Sequence, residues 1–116
     1  MTERPTADNG GLRDNAGKPR YDLLEPHAIA ELVRVFTAGA AKYKAHNWLR
    51  GMDWSKCDAS LQRHLAAWRM GEDRDPETGC LHMAHVAWNA LALVSYKLLG
   101  LGVDDRFHQP KDPEGL

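Results

Sequence analysis

The sequence predicts an all-α fold: a small bundle of three main helices, completed by homo-oligomerisation. Three observations lead there. Apolar residues recur at spacings of three and four in three separate segments, and no stretch shows the alternation of a half-buried strand. The chain has 116 residues, 43% hydrophobic and 27% charged, which is enough for one domain with one modest core. The segments are set off by polar stretches rich in Gly, Asn, Asp and Pro, which punctuate rather than continue regular structure. We place the domain at residues 17–103, between a flexible arm (1–16) and a flexible tail (104–116) that carries Pro110 and Pro113.

The first helix is expected to start at Pro26, since proline suits the first helical position. Ile29, Leu32, Val33, Phe36, Ala40 and Tyr43 then form one apolar stripe. Gly39 weakens this helix locally or lets another backbone approach. The segment HNWLRGMDW, from His46 to Trp54, has no periodicity but places Trp48 and Trp54 beside Asn47 and Arg50. A second helix is expected to be capped by Ser55 or Asp58 and to run through Leu61, Leu65 and Trp68 to a stop at Gly71. The third is expected to start near Thr78 and to end at Gly100. It is apolar on nearly every face from Val86 to Val94, more surface than three helices can cover, so the third helix is expected to meet its mate in a homo-oligomer.

Composition excludes several classes of partner. A formal net charge of -1 gives no field to draw the chain to nucleic acid or a membrane, and neither is expected as a partner. The longest near-apolar run, Val86 to Ser95, falls far short of a membrane span, and the N-terminus has no apolar leader region. Cys57 and Cys80 are the only cysteines and form no C-x-x-C pair, which suits a reducing cytoplasm.

Chemistry concentrates between Arg63 and Asn89. His82, His85 and Asn89 share one helical face and interrupt an apolar helix. Taken alone, they could equally satisfy carbonyls inside an interface. His64 adds weight to a site. If the second and third helices form an antiparallel hairpin, His64 approaches His82 and His85 near the turn. That turn, GEDRDPETG, brings Glu72, Asp73, Asp75 and Glu77 together, and their mutual repulsion is relieved by a cation or by solvent. An EF-hand does not fit, because the glycine falls one place late and Ala84 stands where a bidentate glutamate belongs. Carboxylates with imidazoles suit Mn²⁺, Fe²⁺ or Zn²⁺, whereas carboxylates with water suit Mg²⁺.

Other residues suit a polyanion. Lys18 and Arg20 flank Pro19 ahead of the first helix and could hold phosphates, although the spacing is not that of a P-loop. Lys42, Lys44, Arg50, Arg63 and Arg69 add positive charge. Trp48 could stack a base whose edge Asn47 reads, or could simply cover the core.

The run KPRYDLLEPHAIAELVRVFTAGAAKYKAHNWLRGMDW, followed by RHLAAWRMGEDRDPETGCLHMAHVAWNALAL, resembles the phage and prophage family of dATP/dGTP diphosphohydrolase N-terminal domains. The motifs are K-P-R-Y-D, then G-A-x-K-Y-x-x-x-N-W, then R-H-x-x-A-W-x-x-G-E-D-x-D-x-E-x-G-x-x-H-x-A-H, over roughly residues 17 to 98. The resemblance implies hydrolysis of purine deoxynucleoside triphosphates in phage nucleotide metabolism, hence in the host cytoplasm. It also implies a distant likeness to the magnesium-dependent, oligomeric, MazG-like all-α pyrophosphohydrolases. This chain departs from their pattern: it has Glu25 and Glu31 near the first helix but no E-x-x-E, and histidines stand where carboxylates are expected. It also lacks the His-Asp dipeptide of HD-type phosphohydrolases.

The resulting expectation is metal-dependent hydrolysis of a nucleoside triphosphate. Glu72, Asp75, Glu77 and His82 would hold Mg²⁺ or Mn²⁺. His64, His85 and Glu72 would be catalytic, and Lys18, Arg20, Lys42, Asn47, Trp48 and Arg63 would hold the substrate. A non-catalytic nucleotide-binding or regulatory module, and a purely structural helical oligomer, are the competing readings.

Overall fold

The computed structural model describes residues 10–108, so most of the expected arm and tail, 1–9 and 109–116, lies outside the described residues. Three α-helices follow in order, α1 (Pro26–Tyr43), α2 (Trp54–Arg69) and α3 (His82–Leu99), with short 3-10 turns at Tyr21–Leu23 and Asn47–Arg50. Among the described residues there is no strand, only isolated bridges between Asp53 and Val103 and between Arg74 and Leu81. The all-α expectation is met.

Pro26 opens α1, and the Glu25 carboxylate accepts from the His27 and Ala28 amides at 3.0 and 2.7 Å. Those amides have no partner within the helix, so the cap stabilises its first turn. The buried stripe is narrower than expected and shifted in phase. Val35 is the buried position, Leu32 and Phe36 are half-buried, and Val33 and Tyr43 are exposed. The shift follows from α1 packing on one helix, α3, through Val35 against Cys80 and Ala84.

The start of α2 also differs from expectation. It begins at Trp54, and its cap comes from far along the chain. Asp105 accepts from the Ser55 amide at 2.8 Å and from the Ser55 hydroxyl at 2.6 Å, while the Trp54 amide donates to Val103 O at 2.9 Å. Asp58 instead accepts from Gln62 one turn on. A cap supplied from residue 105 leaves no local signal at residues 53–58. Helix α3 starts four residues after Thr78, because Thr78 is engaged in the preceding turn. It stops as expected at Gly100, whose φ of 68° is left-handed.

The pairing of α2 and α3 is antiparallel. His64 meets His82, Ser60 meets Asn89, and Cys57 packs against Ala92 and Tyr96. Trp48, Met52, Trp54, Trp88, Leu93 and Leu101 surround that last cluster. Trp48 joins an aromatic group, 5.6 Å from Phe36, 5.8 Å from Trp88 and 6.2 Å from Tyr96 by ring centroids. The Tyr96 hydroxyl donates to Trp48 O at 2.7 Å, and burial pushes its pKa up to about 12, so it stays a neutral donor. This bond fixes the 3-10 turn Asn47–Arg50 on α3. Both cysteines are free and buried, packed as small side chains. On the opposite side of α3, Leu91, Val94 and Leu98 stay exposed at helical spacing. No helix among the described residues is long and apolar enough to cross a membrane.

Gly51 and Gly102 let two backbone segments meet under the 3-10 turn. A Cβ on Gly51 would lie 2.6 Å from Gly102 N, and one on Gly102 would run into Met52 O. Two outcomes follow for stability, read by urea denaturation. Tyr96→Phe should cost about 0.5–1.5 kcal/mol, since it removes one of the two bonds to the Trp48 carbonyl and leaves that from the Gly51 amide. Gly102→Ala should cost more than about 1 kcal/mol, from a φ of +73° and the collision together. A midpoint unchanged in either variant would contradict the packing described.

Candidate functional site

The end of the α2–α3 hairpin nearest the connecting turn gathers three histidines. Heptad-like spacing puts His82, His85, Asn89, Ala92 and Tyr96 on the face of α3 that meets α2. His64 sits opposite, its Nδ1 2.9 Å from His82 Nδ1. The rings of His64 and His85 stack in parallel, 4.1 Å apart by centroids and 2° from coplanar. Asn89, almost fully buried, donates through Nδ2 to Ser60 Oγ at 3.2 Å and to His85 O at 2.9 Å. A slip in helix register would cost it the Ser60 bond, the one that crosses to α2.

The turn between the helices is folded by its own polar groups. Thr78 donates from its amide and its hydroxyl to Asp75 Oδ2, at 3.3 and 3.0 Å, and Thr78 Oγ1 accepts from the Cys80 amide at 3.2 Å. Asp75 Oδ2 lies 3.7 Å from His85 Nε2, which is itself 2.8 Å from Thr78 Oγ1. Because the threonine proton goes to the carboxylate, His85 Nε2 must be the donor, and its lone pair is at Nδ1. Arg74 donates to Gly79 O at 3.0 Å and lies 3.6 Å from Glu31 Oε1, which holds the turn against α1.

His64, Asp75 and His82 each offer a ligand atom, all within 4.8 Å of one another. Donors on one ion at ~2.1 Å sit about 3–4 Å apart, so this set closes on a divalent cation with small side-chain adjustments. The expected ligands therefore divide. Asp75 and His82 are in the cluster. Glu72 lies behind it, 2.7 Å from His82 Nε2, and Glu77, on the cleft wall, pairs with Lys42 at 3.3 Å. Burial pulls the pKa of both His64 and His85 below the usual histidine value, and neighbouring imidazoles add to the effect. Both rings are thus neutral near pH 7, the form that binds metal. For Asp75, burial alone would raise the pKa. The bonds from Thr78 and the Glu77 amide, with His85 and His64 nearby, outweigh it and keep the carboxyl ionised.

The cluster opens into a cleft of about 1070 Å³ between α1, the Asn47–Arg50 turn and the hairpin. Lys42, Lys44, Arg50, Lys56 and Arg63 contribute to its wall, with Asn47 further along. Lys44 and His46, at φ 114° and 65°, hold left-handed conformations unusual for side-chain-bearing residues. Such strain gathers where a backbone shape serves a site. Trp48 also borders the cleft, but its ring is committed to the aromatic group around Tyr96. Lys18 and Arg20 are not among the lining residues. Both are exposed, and Arg20 forks onto Asp22 with two bonds of 2.7 Å. Thr78, expected near the start of the third helix, is instead a residue of the site. The Asp75-x-x-Thr78 spacing, typical of a side-chain-closed turn, was its available signal.

The chain matches the family described as "dATP/dGTP diphosphohydrolase, N-terminal" over residues 8–106. A Salmonella phage PMBT28 protein named dATP/dGTP diphosphohydrolase is 32% identical over 77 residues, which cover 66% of this chain and 26% of that protein. The match thus spans about a quarter of the relative's length. No solved structure matches the chain. Because the family match takes in all three helices, the hairpin turn and the cleft, the chain belongs to the dATP/dGTP diphosphohydrolase N-terminal family.

Proposed function

We propose that the cleft binds a (deoxy)nucleoside triphosphate, a purine dNTP foremost, and hydrolyses it with a divalent ion held by His64, Asp75 and His82. The carrying observation is the juxtaposition of that donor cluster with five cationic side chains along one cleft. The family and the phage relative's name support nucleotide hydrolysis as the reaction class. When bound, the ion supplies Lewis-acid stabilisation of charge on the phosphoryl oxygens.

The chain's own residues do the rest. Arg63 and Lys56 stand on α2, Lys42 on α1 and Arg50 in the 3-10 turn, so each of these elements brings positive charge to the polyphosphate. His85, tethered at Nε2 by Thr78 and stacked on His64, presents Nδ1 for proton transfer in the cleft. Asn47 offers both a donor and an acceptor for a base edge. Lys42 must leave Glu77 to reach a phosphate, so substrate competes with this exposed ion pair, which is worth little.

One observation favours a second reading. The match covers only 26% of the phage relative, so catalysis could reside in the remainder of such proteins while this domain binds the nucleotide. Incubation with each dNTP and Mg²⁺ or Mn²⁺, following phosphate and pyrophosphate release, separates the two. Hydrolysis is expected, with His85→Ala lowering kcat by about 10²–10⁴-fold. Arg63→Ala should act mainly by raising KM. Saturable nucleotide binding without turnover would instead establish the binding module. Absence of any thermal shift with nucleotide would remove both.

We also propose that the exposed Leu91, Val94 and Leu98 face of α3 packs on a second copy of the chain. Among the described residues only Val35, Cys57, Cys80, Ala84, Ala92 and Tyr96 are buried hydrophobics, a small core that a twofold α3 contact would enlarge. Val94→Glu with Leu98→Glu should convert a dimer or higher species to monomer in sedimentation experiments. A wild-type monomer at high concentration would refute the contact.

A further inference from the structure

His82 is held at both edges of its ring. Its side chain is only 4% exposed, and both ring nitrogens are engaged. Glu72 Oε1 lies 2.7 Å from Nε2, and an ionised carboxylate can only accept, so Nε2 carries the hydrogen. In the neutral ring the lone pair then sits at Nδ1, where it accepts from His64 Nδ1 at 2.9 Å, and transfer of the His64 proton to its Nε2 would free both Nδ1 atoms for an ion beside Asp75. A carboxylate behind a histidine that faces a donor cluster orients the ring, fixes its tautomer and raises its basicity as a ligand.

We propose that this cluster is a site for an imidazole-binding transition-metal ion of the Mn²⁺, Co²⁺ and Zn²⁺ class rather than for Mg²⁺, with Glu72 acting as the positioning residue for His82. The donor set is two nitrogens and one oxygen. Mg²⁺ prefers carboxylate, carbonyl and water oxygens, and only Asp75 supplies one here. Glu77, which would add a second carboxylate, stands outside the donor cluster on the cleft wall, paired with Lys42 at 3.3 Å. Glu72, which could add a third, is committed to the outer edge of His82. The two acidic residues that would make the site suit magnesium are therefore both directed elsewhere. The assignment rests on the cleft described above but does not require that nucleotide be hydrolysed there.

Equilibrium dialysis of the purified chain against Mn²⁺, Co²⁺, Zn²⁺ and Mg²⁺ one at a time, together with the visible absorption of the Co²⁺ form, tests this without any turnover assay. One equivalent of Co²⁺ is expected to bind with ligand-field bands characteristic of nitrogen donors, and at least tenfold more tightly than Mg²⁺. His64→Ala and Asp75→Asn should abolish these bands, and Glu77→Gln should leave them unchanged. Glu72→Gln, which keeps an acceptor but loses the charge, should weaken Co²⁺ by about 10–100-fold. His82→Ala is the less informative variant, because an emptied buried position can unfold the hairpin. His64→Ala and Asp75→Asn, checked by circular dichroism, keep the test decisive. Mg²⁺ binding as tightly as Co²⁺, or Co²⁺ bands that survive in both variants, would overturn the site. If Glu72→Gln lowered the melting temperature of the metal-free chain but left Co²⁺ affinity intact, Glu72 would be structural only. Co²⁺ bound as expected, with no dNTP hydrolysed, would refute the hydrolase reading and leave the metal site standing.

Discussion

Polar groups buried between α2 and α3 set the constraint on which the rest depends. An apolar seam would tolerate a shift of one turn, because one aliphatic contact resembles the next. His82 and Asn89 are each 3% exposed and do not allow it. Asn89 needs Ser60, and His82 needs Glu72 on one edge and His64 on the other. An unpaired buried polar group costs about 1–3 kcal/mol, so each partnership penalises alternative registers. The same bonds that fix the hairpin put His64, His82 and Asp75 within reach of one another. Structure and site are therefore specified by one set of interactions.

Charge is distributed to match. The net charge of -1 conceals a segregation in which cationic residues line the cleft. Several carboxylates outside the cleft lining are paired with arginines: Glu31 near Arg74 and Arg34, Asp22 on Arg20, Asp104 on Arg106. Asp75 is the carboxylate placed with the histidines. A small acidic chain can thus present a locally positive groove to an anion while keeping one ionised oxygen for a cation.

The helices and the shared face of His82 and His85 were legible in the sequence because side chains three and four apart must lie together. The approach of His64 followed only on the condition of an antiparallel hairpin, which the structure supplies. What the sequence hid was contact across long separations. Nothing near Ser55 announces that Asp105 caps it. Trp48 looked as suited to a base as to a core, and only the Tyr96 hydroxyl on its carbonyl places it in the aromatic group. Charge alone made Lys18 and Arg20 resemble phosphate ligands, yet Asp22, two residues on, already takes the Arg20 guanidinium. In the acidic turn, composition could not say which of four carboxylates face inward. The Thr78 hydroxyl selects Asp75, and the nearest cations and imidazoles draw off Glu77 and Glu72.

The strap from Leu101 to Asp105 bears on the order of assembly. The hairpin closes over a short connection and can form as soon as α3 has been synthesised, since local contacts carry little loop-closure cost. The anchoring of the start of α2 is different. The Trp54 ring nitrogen donates to Leu101 O, and Ser55 waits for Asp105, contacts that span 47 and 50 residues. During synthesis these partners reach the hairpin last. A nascent chain that stalls before residue 105 would carry its histidines in place beneath an unanchored tryptophan segment, and quality-control proteases would meet that segment first.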